Sequence, residues 1–241
     1  MAYHEFAYFY DEFNGEADYD ALYAQIKGQL DAHGIQNGIV ADLGCGTGEL
    51  TLMLTQAGYD MIGIDQSEQM LCVVQSQGLL LLRQDLLQLD LYGTIQAAVS
   101  TFDTFNHLPD LDKVIANAGF FMEKGGVLLF DMNTPYKHQE VLGENCFTFE
   151  QEDARCIWKN HYDPVSRRVE IQLQIDDLET GEQFHENFFE YTYTLEQVRT
   201  ALENHGFALE SVCDGESFGP LTEKSERFFF CAVKQYTQLE G

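Results

Sequence analysis

The chain has 241 residues, of which 45% are hydrophobic, as is usual for one globular domain. Its 13 Lys and Arg against 40 Asp and Glu give a formal net charge of −27. This charge disfavours nucleic acids and anionic membranes as partners, because both require clustered cations. The six Cys lack C-x-x-C spacing, and the sequence contains neither a signal-peptide pattern nor a long apolar run. We therefore expect a cytoplasmic protein with free thiols and no membrane association.

The first functional pattern is a glycine-rich turn between a predicted strand and a predicted helix. An apolar run over 39–43 leads into the turn 44–48, and an apolar periodic segment then continues to Gly58. Glycine at alternate positions lets the backbone approach a ligand where any side chain would collide. The start of the helix adds free N–H groups at the same place. The pattern favours a nucleotide site, although a glycine turn without a ligand is the plainer alternative.

Glu49 indicates which nucleotide this turn would accept. A P-loop requires Gly-Lys-Ser/Thr after its spacer, and a dinucleotide turn requires glycine at position 49. A glutamate in the first helical turn would repel a pyrophosphate. No Lys or Arg lies between Lys27 and Arg83 to compensate. The turn therefore suits an adenosine ligand without phosphates.

The pattern Asp42-x-Gly44-x-Gly46-x-Gly48 resembles motif I of the class I S-adenosylmethionine (AdoMet) methyltransferases. AdoMet carries a sulfonium, an ammonium and one carboxylate, so an acidic pocket is compatible with it. The segment Tyr3-x-x-Phe6-Ala7-x-x-Tyr10-Asp11 resembles the opening of a bacterial branch of this family, which includes small-molecule and amino-sugar N-methyltransferases. The resemblance implies AdoMet as the cofactor and Tyr10 as a pocket-lining and candidate catalytic residue. Its implied loop contacts are Asp42, Gly44, Cys45, Gly46 and Gly48.

Asp65 ends the second predicted strand, over 59–65. A carboxylate at the end of such a strand can accept hydrogen bonds from both ribose hydroxyls. The alternative is an acidic cap for the helix predicted over 67–77. The family resemblance also places Gln66 and Met70 beside the adenosine.

Asp85 follows the third apolar run, over 79–83. It is suited to accept the adenine amino hydrogen, while the Leu86 N–H would meet a ring nitrogen. Exposed acids after strands are common, and the assignment depends on the ordered series that Asp85 forms with the two earlier motifs.

The fourth predicted strand, over 97–102, ends at the same crevice and brings Thr101 to it. After it, Asp103 is a candidate substrate anchor and His107 a candidate general base. A capping acid and a loop histidine are the plainer alternatives. The N/D-P-P-Y/F signature of nucleobase amino-methyltransferases is absent here. Asn133-Thr134-Pro135-Tyr136 looks similar but follows the next strand, and we discount it.

The second half of the chain changes its pattern. A helix is predicted over 110–122 and a fifth strand over 127–131. Alternation with a period of two over 146–193 then predicts about four inserted antiparallel strands. A capping box at Thr194 begins a last helix, and strands follow over 207–213 and 227–234.

The inserted strands would cover the crevice. Trp158 and Tyr191 are candidate substrate contacts, together with His161, Tyr162, Phe189 and Tyr193, although such aromatics also serve to pack an insertion onto a sheet. His161 and His185 have no partners at metal-ligand spacing, so we expect no metal.

We therefore predict one α/β domain over 1–241, with a seven-stranded, doubly wound Rossmann-like methyltransferase sheet and a small antiparallel β insertion. Its parts are an N-terminal lid and helix (1–34), an AdoMet-binding core (36–145), a substrate roof (146–193) and a C-terminal helix and strand pair (194–241). The expected reaction is methyl transfer to an O or N atom of a small molecule. The alternatives are an RNA or protein methyltransferase and a non-enzymatic AdoMet-binding module. The oligomeric state is left open.

Overall fold

The computed structural model of the protein describes residues 18–74, 78–152 and 154–236. The predicted lid, with Tyr10, lies outside these ranges. The helices and strands are α1 (Tyr19–Ala32), β1 (Ile39–Leu43), α2 (Glu49–Gln56), β2 (Asp60–Asp65), α3 (Glu68–Val74), β3 (Leu80–Arg83), β4 (Ile95–Ser100), α4 (Leu111–Phe121), β5 (Met122–Asn133), β6 (Cys146–Glu150), β7 (Ala154–Asp163), β8 (Arg168–Asp177), β9 (Gln183–Tyr191), α5 (Leu195–Asn204), β10 (Phe207–Asp214) and β11 (Arg227–Lys234). None of the helices in these ranges is both long and apolar enough to cross a membrane.

Seven strands form one sheet in the order β10-β11-β5-β4-β1-β2-β3. Strands β1 to β5 pair in parallel, whereas β11 and β10 join the edge at β5 antiparallel. The predicted seven-stranded α/β fold is confirmed. Strand β1 lies between β4 and β2. The chain runs outward from β1 through β2 and β3 and then crosses to β4, on the other side of β1. Ligands of open α/β sheets bind at such a switch point, beyond the C-terminal ends of the strands.

Both faces of the sheet are covered, which explains why its strands are continuous apolar runs. Successive residues of β1 point to opposite faces. Val40 packs into the cluster that contains the buried residues of α1 and α2, and Ala41 packs into the cluster of α4 and α5. Helices on both sides therefore hold β1 in place, and with it the glycine turn that begins at Gly44.

The predicted insertion is a separate sheet of four antiparallel strands in the order β6-β7-β8-β9. Its buried face follows the alternation in β8, where Val169, Ile171, Leu173 and Ile175 are all buried. A π-helix over Lys137–Leu142 joins β5 to this sheet. The capping box at Thr194 is present and begins α5 as predicted.

Strands β4 and β5 differ most from their predicted bounds. Strand β5 begins at Met122 and not at Val127, because the chain passes from α4 directly into an irregular stretch where the register jumps from Ile95↔Met122 to Ala97↔Val127. Strand β4 ends at Ser100, so Thr101 lies just beyond it. The cause is the left-handed backbone that begins at Phe102, which a strand cannot continue through.

Candidate active site

A cleft lies beyond the C-terminal ends of β1, β2 and β4. Its empty volume is about 920 Å³, including the solvent space at its open side. Ten of the predicted cofactor residues line it, namely Asp42, Gly44, Cys45, Gly46, Asp65, Gln66, Met70, Asp85, Leu86 and Thr101. The candidate base His107 lines it as well. Gly48, the N-cap of α2, is adjacent in sequence to residues that line the cleft. The structure thus brings most of the predicted site into one cavity.

The glycine turn has the conformation that its sequence requires. Gly44 has φ +80°, and a Cβ there would collide with the side chain of Thr104. Gly46 has φ +53°, and a Cβ there would meet no atom of the described residues within 4 Å, so it would occupy the cleft that Gly46 lines. Cys45 packs against Gly63, and burial raises the pKa of its thiol, so this cysteine is a neutral packing group of the turn.

Asp42 is a buried acid at the floor of the cleft. Thr51 Oγ1 donates to its Oδ2 at 2.6 Å, while its Oδ1 has no hydrogen-bond partner among the described residues. Burial, aided by the charge of Asp65, raises the pKa of Asp42 to about 7. A buried, unpartnered carboxylate oxygen is costly unless a ligand pairs with it. Asp42 is therefore suited to a cationic ligand group.

Asp65 connects the glycine turn to the second strand. Its Oδ2 accepts from the Gly46 N–H at 3.0 Å and its Oδ1 from the Ser67 N–H at 2.8 Å. Each carboxylate oxygen has two acceptor positions, so Asp65 shapes the turn and retains acceptor capacity toward the cleft. The capping alternative holds in part, although it is Ser67 Oγ that accepts from Met70 N at the start of α3.

Asp85 lies at the far end of the cleft. Its Oδ1 accepts from the Leu87 N–H at 2.9 Å and caps the 3-10 helix Leu86–Gln88. Its Oδ2 accepts from Gln88 Nε2 at 3.1 Å. These contacts hold the Asp85–Leu86 pair against the cleft wall.

The opposite wall is a strained turn. Phe102 and Asp103 have φ of 54° and 53°, a left-handed conformation that is uncommon for residues with a side chain. Both of their N–H groups donate to the carboxylate of Asp131, at 2.9 and 2.6 Å. Backbone strain of this kind persists where the surroundings determine the conformation, and it concentrates at functional sites. The Phe102 ring lies 5.0 Å from that of Tyr19, which also lines the cleft.

Asp103 and His107, predicted as anchor and base, are neighbours. His107 Nε2 lies 3.5 Å from Asp103 Oδ2, and Arg227 Nη2 donates to Asp103 Oδ1 at 2.8 Å. Burial alone would raise the pKa of Asp103, but the charges of Arg227 and His107 outweigh it and hold that pKa well below the usual range. For His107, burial opposes the charged form, yet Asp103 and Glu190 raise its pKa. His107 is therefore a more basic histidine than an isolated one.

Several charged and polar residues of this region were not predicted from the sequence as site residues. Glu190, buried on β9, accepts from Asn133 Nδ2 at 2.8 Å and contacts His138 Nε2 at 2.9 Å. One carboxylate oxygen each of Glu190 and Asp103 and one ring nitrogen of His107 lie within 4.8 Å of one another. A signal was present, because Glu190 lies in phase with the buried Phe188 and so points inward. Asn133, which we discounted because its motif follows the next strand, contacts Glu190 of this cluster.

The inserted sheet is attached to the elements beside the cleft through Asn106. Asn106 Nδ2 donates to the Tyr191 carbonyl at 2.9 Å, and Asn106 Oδ1 accepts from the Asn133 N–H at 2.8 Å. The Trp158 indole donates to Asn160 Oδ1 at 2.7 Å, within the packing of the inserted sheet. Neither Trp158 nor Tyr191 lines the cleft in the described part of the chain. Their role as substrate contacts stays a prediction.

Comparisons with known proteins agree with this geometry. The family model described as a methyltransferase domain matches residues 40–126. A protein of Bacillus subtilis (strain 168) that is named as a methyltransferase, YqeM, is 32% identical over 248 residues, which cover 98% of this chain and 99% of its own.

Solved structures show the same fold. The crystal structure of an S-adenosylmethionine-dependent methyltransferase from Clostridium acetobutylicum ATCC 824 has a TM-score of 0.87 and 25% identity, over 96% of this chain and 98% of its own. AdoMet-bound CalS10, an amino pentose methyltransferase from Micromonospora echinaspora, has a TM-score of 0.73 and 17% identity, over 98% of this chain and 99% of its own. The glycine turn, the sheet order and these relatives lead to one conclusion: the chain belongs to the class I AdoMet-dependent methyltransferase family.

Proposed function

We propose that this protein transfers a methyl group from AdoMet to a nitrogen or oxygen atom of a small molecule. The observation that carries the proposal is Asp42 Oδ1, which has no hydrogen-bond partner among the described residues and is buried in a cleft whose other acidic residues are Glu49, Asp65 and Asp85. A cleft so rich in acids would repel phosphates and accept a ligand with positive charge.

The residues present fit AdoMet. Asp42 would accept from its ammonium, the space beside Gly46 would admit its chain, and Asp65 would accept from the ribose hydroxyls. Asp85 and the Leu86 N–H would contact the adenine. When bound, AdoMet supplies a methyl group that its sulfonium has already activated. The main tasks of the protein are then alignment and exclusion of water.

The acceptor end of the cleft favours a basic nitrogen. His107 faces the cleft with Asp103 and Glu190 behind it, so it can take a proton from an acceptor and share the resulting charge with carboxylates. Asn133 Oδ1, beside Glu190, has no hydrogen-bond partner among the described residues and suits an N–H donor. The amino pentose methyltransferase among the structural relatives acts on a substrate of this kind.

Ligand binding tests the cofactor first. Thermal-shift titrations should show stabilisation by S-adenosylhomocysteine and AdoMet, and none by NAD or ATP. Stabilisation by NAD alone would contradict the proposal.

Turnover tests the acceptor. Labelled AdoMet should transfer its methyl group to a component of a metabolite extract and not to an RNA fraction or a protein fraction run in parallel. Labelling of RNA or protein would favour a macromolecular acceptor. Binding of AdoMet without release of S-adenosylhomocysteine in any fraction would favour a non-enzymatic binding module.

A further inference from the structure

We propose that Arg227 and Asp131 are positioning residues, which hold the strained turn at Phe102 and Asp103 so that one oxygen of Asp103 stays directed at His107. This inference rests on the proposed function, because it assigns His107 and Asp103 to the acceptor end of the cleft. Neither Arg227 nor Asp131 lines the cleft in the described ranges. Their action is therefore through Asp103 and the turn.

The turn requires an external support. Two successive residues with side chains at φ of 54° and 53° are strained, and glycine would adopt the same backbone without that strain. Both side chains have a use, since Phe102 contacts the Tyr19 ring and Asp103 pairs with Arg227. Asp131 accepts both N–H groups of the turn, which is the pairing that this conformation needs.

Arg227 divides its guanidinium between two carboxylates. Its Nη1 donates to Asp131 Oδ1 and its Nη2 to Asp103 Oδ1, both at 2.8 Å. Asp103 Oδ2 is thereby left on the side of His107 Nε2, 3.5 Å away. A planar fork can hold two acceptors in a set direction, which the single ammonium of lysine cannot do.

Stability alone does not account for this arrangement. A buried ion group contributes little more than apolar packing of the same volume, and often less, because its charges must be desolvated. Here the group supports a wall of the cleft, since Thr101, Phe102, Thr104 and His107 all line it. The ion group therefore serves to orient Asp103 more than to stabilise the fold.

The test uses Arg227→Lys and Asp131→Asn, which keep size and most polarity. The first readout is the titration of the His107 imidazole, followed by NMR. The charged groups that face His107 are Asp103 on the turn, Glu190 on β9 and Asp65 on β2. If the turn loses its support, Asp103 moves out of line and the apparent pKa of His107 falls in both variants. A purely structural role would lower the melting temperature and leave this titration unchanged.

The second readout compares two ligands. Sinefungin carries an amine where AdoMet carries its methyl sulfonium, and S-adenosylhomocysteine lacks that amine. The wild type should prefer sinefungin, and Arg227→Lys should reduce the preference by about tenfold or more, as for a lost hydrogen bond to a charged group. The affinity of the Arg227→Lys variant for S-adenosylhomocysteine should stay close to that of the wild type, because Asp42 and Asp65 are unchanged.

Two further variants keep the outcome decisive. Asp103→Gly suits the left-handed backbone and leaves Arg227 paired with Asp131, so it should still fold and lose the sinefungin preference. Arg199→Lys, on the exposed side of α5, should change neither readout. An unaltered His107 titration and ligand ratio in Arg227→Lys and Asp131→Asn would overturn the inference. If the proposed function fails instead, the wild type will transfer no methyl group to a small molecule, while the His107 titration still tests the positioning.

Discussion

Arg227 Nη2 donates to Asp103 Oδ1 at 2.8 Å, although 124 residues separate the two along the chain. Arg227 begins β11, the strand that joins the sheet antiparallel beside β5. The C-terminal strand pair therefore does more than extend the sheet, because it supplies a cation to the wall of the cleft. A crevice formed by the parallel strands alone would leave Asp103 and Asp131 as two neighbouring buried carboxylates, an arrangement that is costly without a counterion.

Asp42 should make both stability and ligand binding depend on pH. Its folded pKa of about 7 lies above the ordinary aspartate pKa of 3.8, so its contribution to stability is present below about pH 4 and is lost as the pH rises through 7. Asp42→Asn should therefore stabilise the ligand-free protein more at pH 8 than at pH 5, by about 2–3 kcal/mol. The same variant should weaken S-adenosylhomocysteine binding by about 1.5–3 kcal/mol.

Melting curves at the two pH values, with and without S-adenosylhomocysteine, measure both effects of Asp42→Asn. The exposed Asp60 at the start of β2 provides the control Asp60→Asn. A difference between wild type and Asp42→Asn that does not change with pH would contradict the assignment.

Asp65→Ala should weaken AdoMet and S-adenosylhomocysteine binding. The expected cost is on the order of 1.5–3 kcal/mol, the range for hydrogen bonds to a charged group. The loss includes the support that Asp65 gives to the Gly46 and Ser67 N–H groups. Calorimetry on the folded variant measures it, and an unchanged dissociation constant would remove Asp65 from the site.

The two glycines of the turn should respond differently to alanine. At Gly44 the new methyl group collides with Thr104, so Gly44→Ala should lower the melting temperature. At Gly46 the methyl group meets no described atom within 4 Å and would enter the cleft that Gly46 lines, so Gly46→Ala should fold and lose about 1–3 kcal/mol of ligand binding. Gly58→Ala, with φ +99° and no described atom within 4 Å of the new methyl group, controls for backbone strain alone. Ligand binding equal in Gly46→Ala and Gly58→Ala would show that this part of the turn does not face the ligand.

No useful affinity for tRNA or duplex DNA is expected at physiological salt. Tight non-specific binding commonly uses about 6–10 phosphate contacts. The chain has 13 Lys and Arg, of which Lys234 is buried and Arg227 is engaged with two carboxylates. Filter binding over a salt series checks this, and strong salt-sensitive retention of tRNA would overturn the small-molecule proposal.

Local patterns in the sequence predicted the elements and most of the cofactor end of the site. The glycine spacing from Gly44 to Gly48 and the acids at or just beyond the ends of the first three strands are features of short segments. Their positions follow from one general rule, that the C-terminal ends of parallel strands meet at one edge. The alternation over 146–193 likewise reported the inserted sheet, because burial of one face leaves a period of two.

The acceptor end could not be derived in the same way. Periodicity tells which face of a strand a residue occupies but not which distant strand lies beside it. The pairing of Arg227 with Asp103 depends on β11 joining the sheet at β5, and that of Glu190 with His138 on how the inserted sheet folds back. The sequence by itself determined the fold and the acidic cleft for a cationic adenosyl ligand. Only the tertiary structure decided which charges meet beside His107, because those contacts join segments whose separation in the chain carries no local signal.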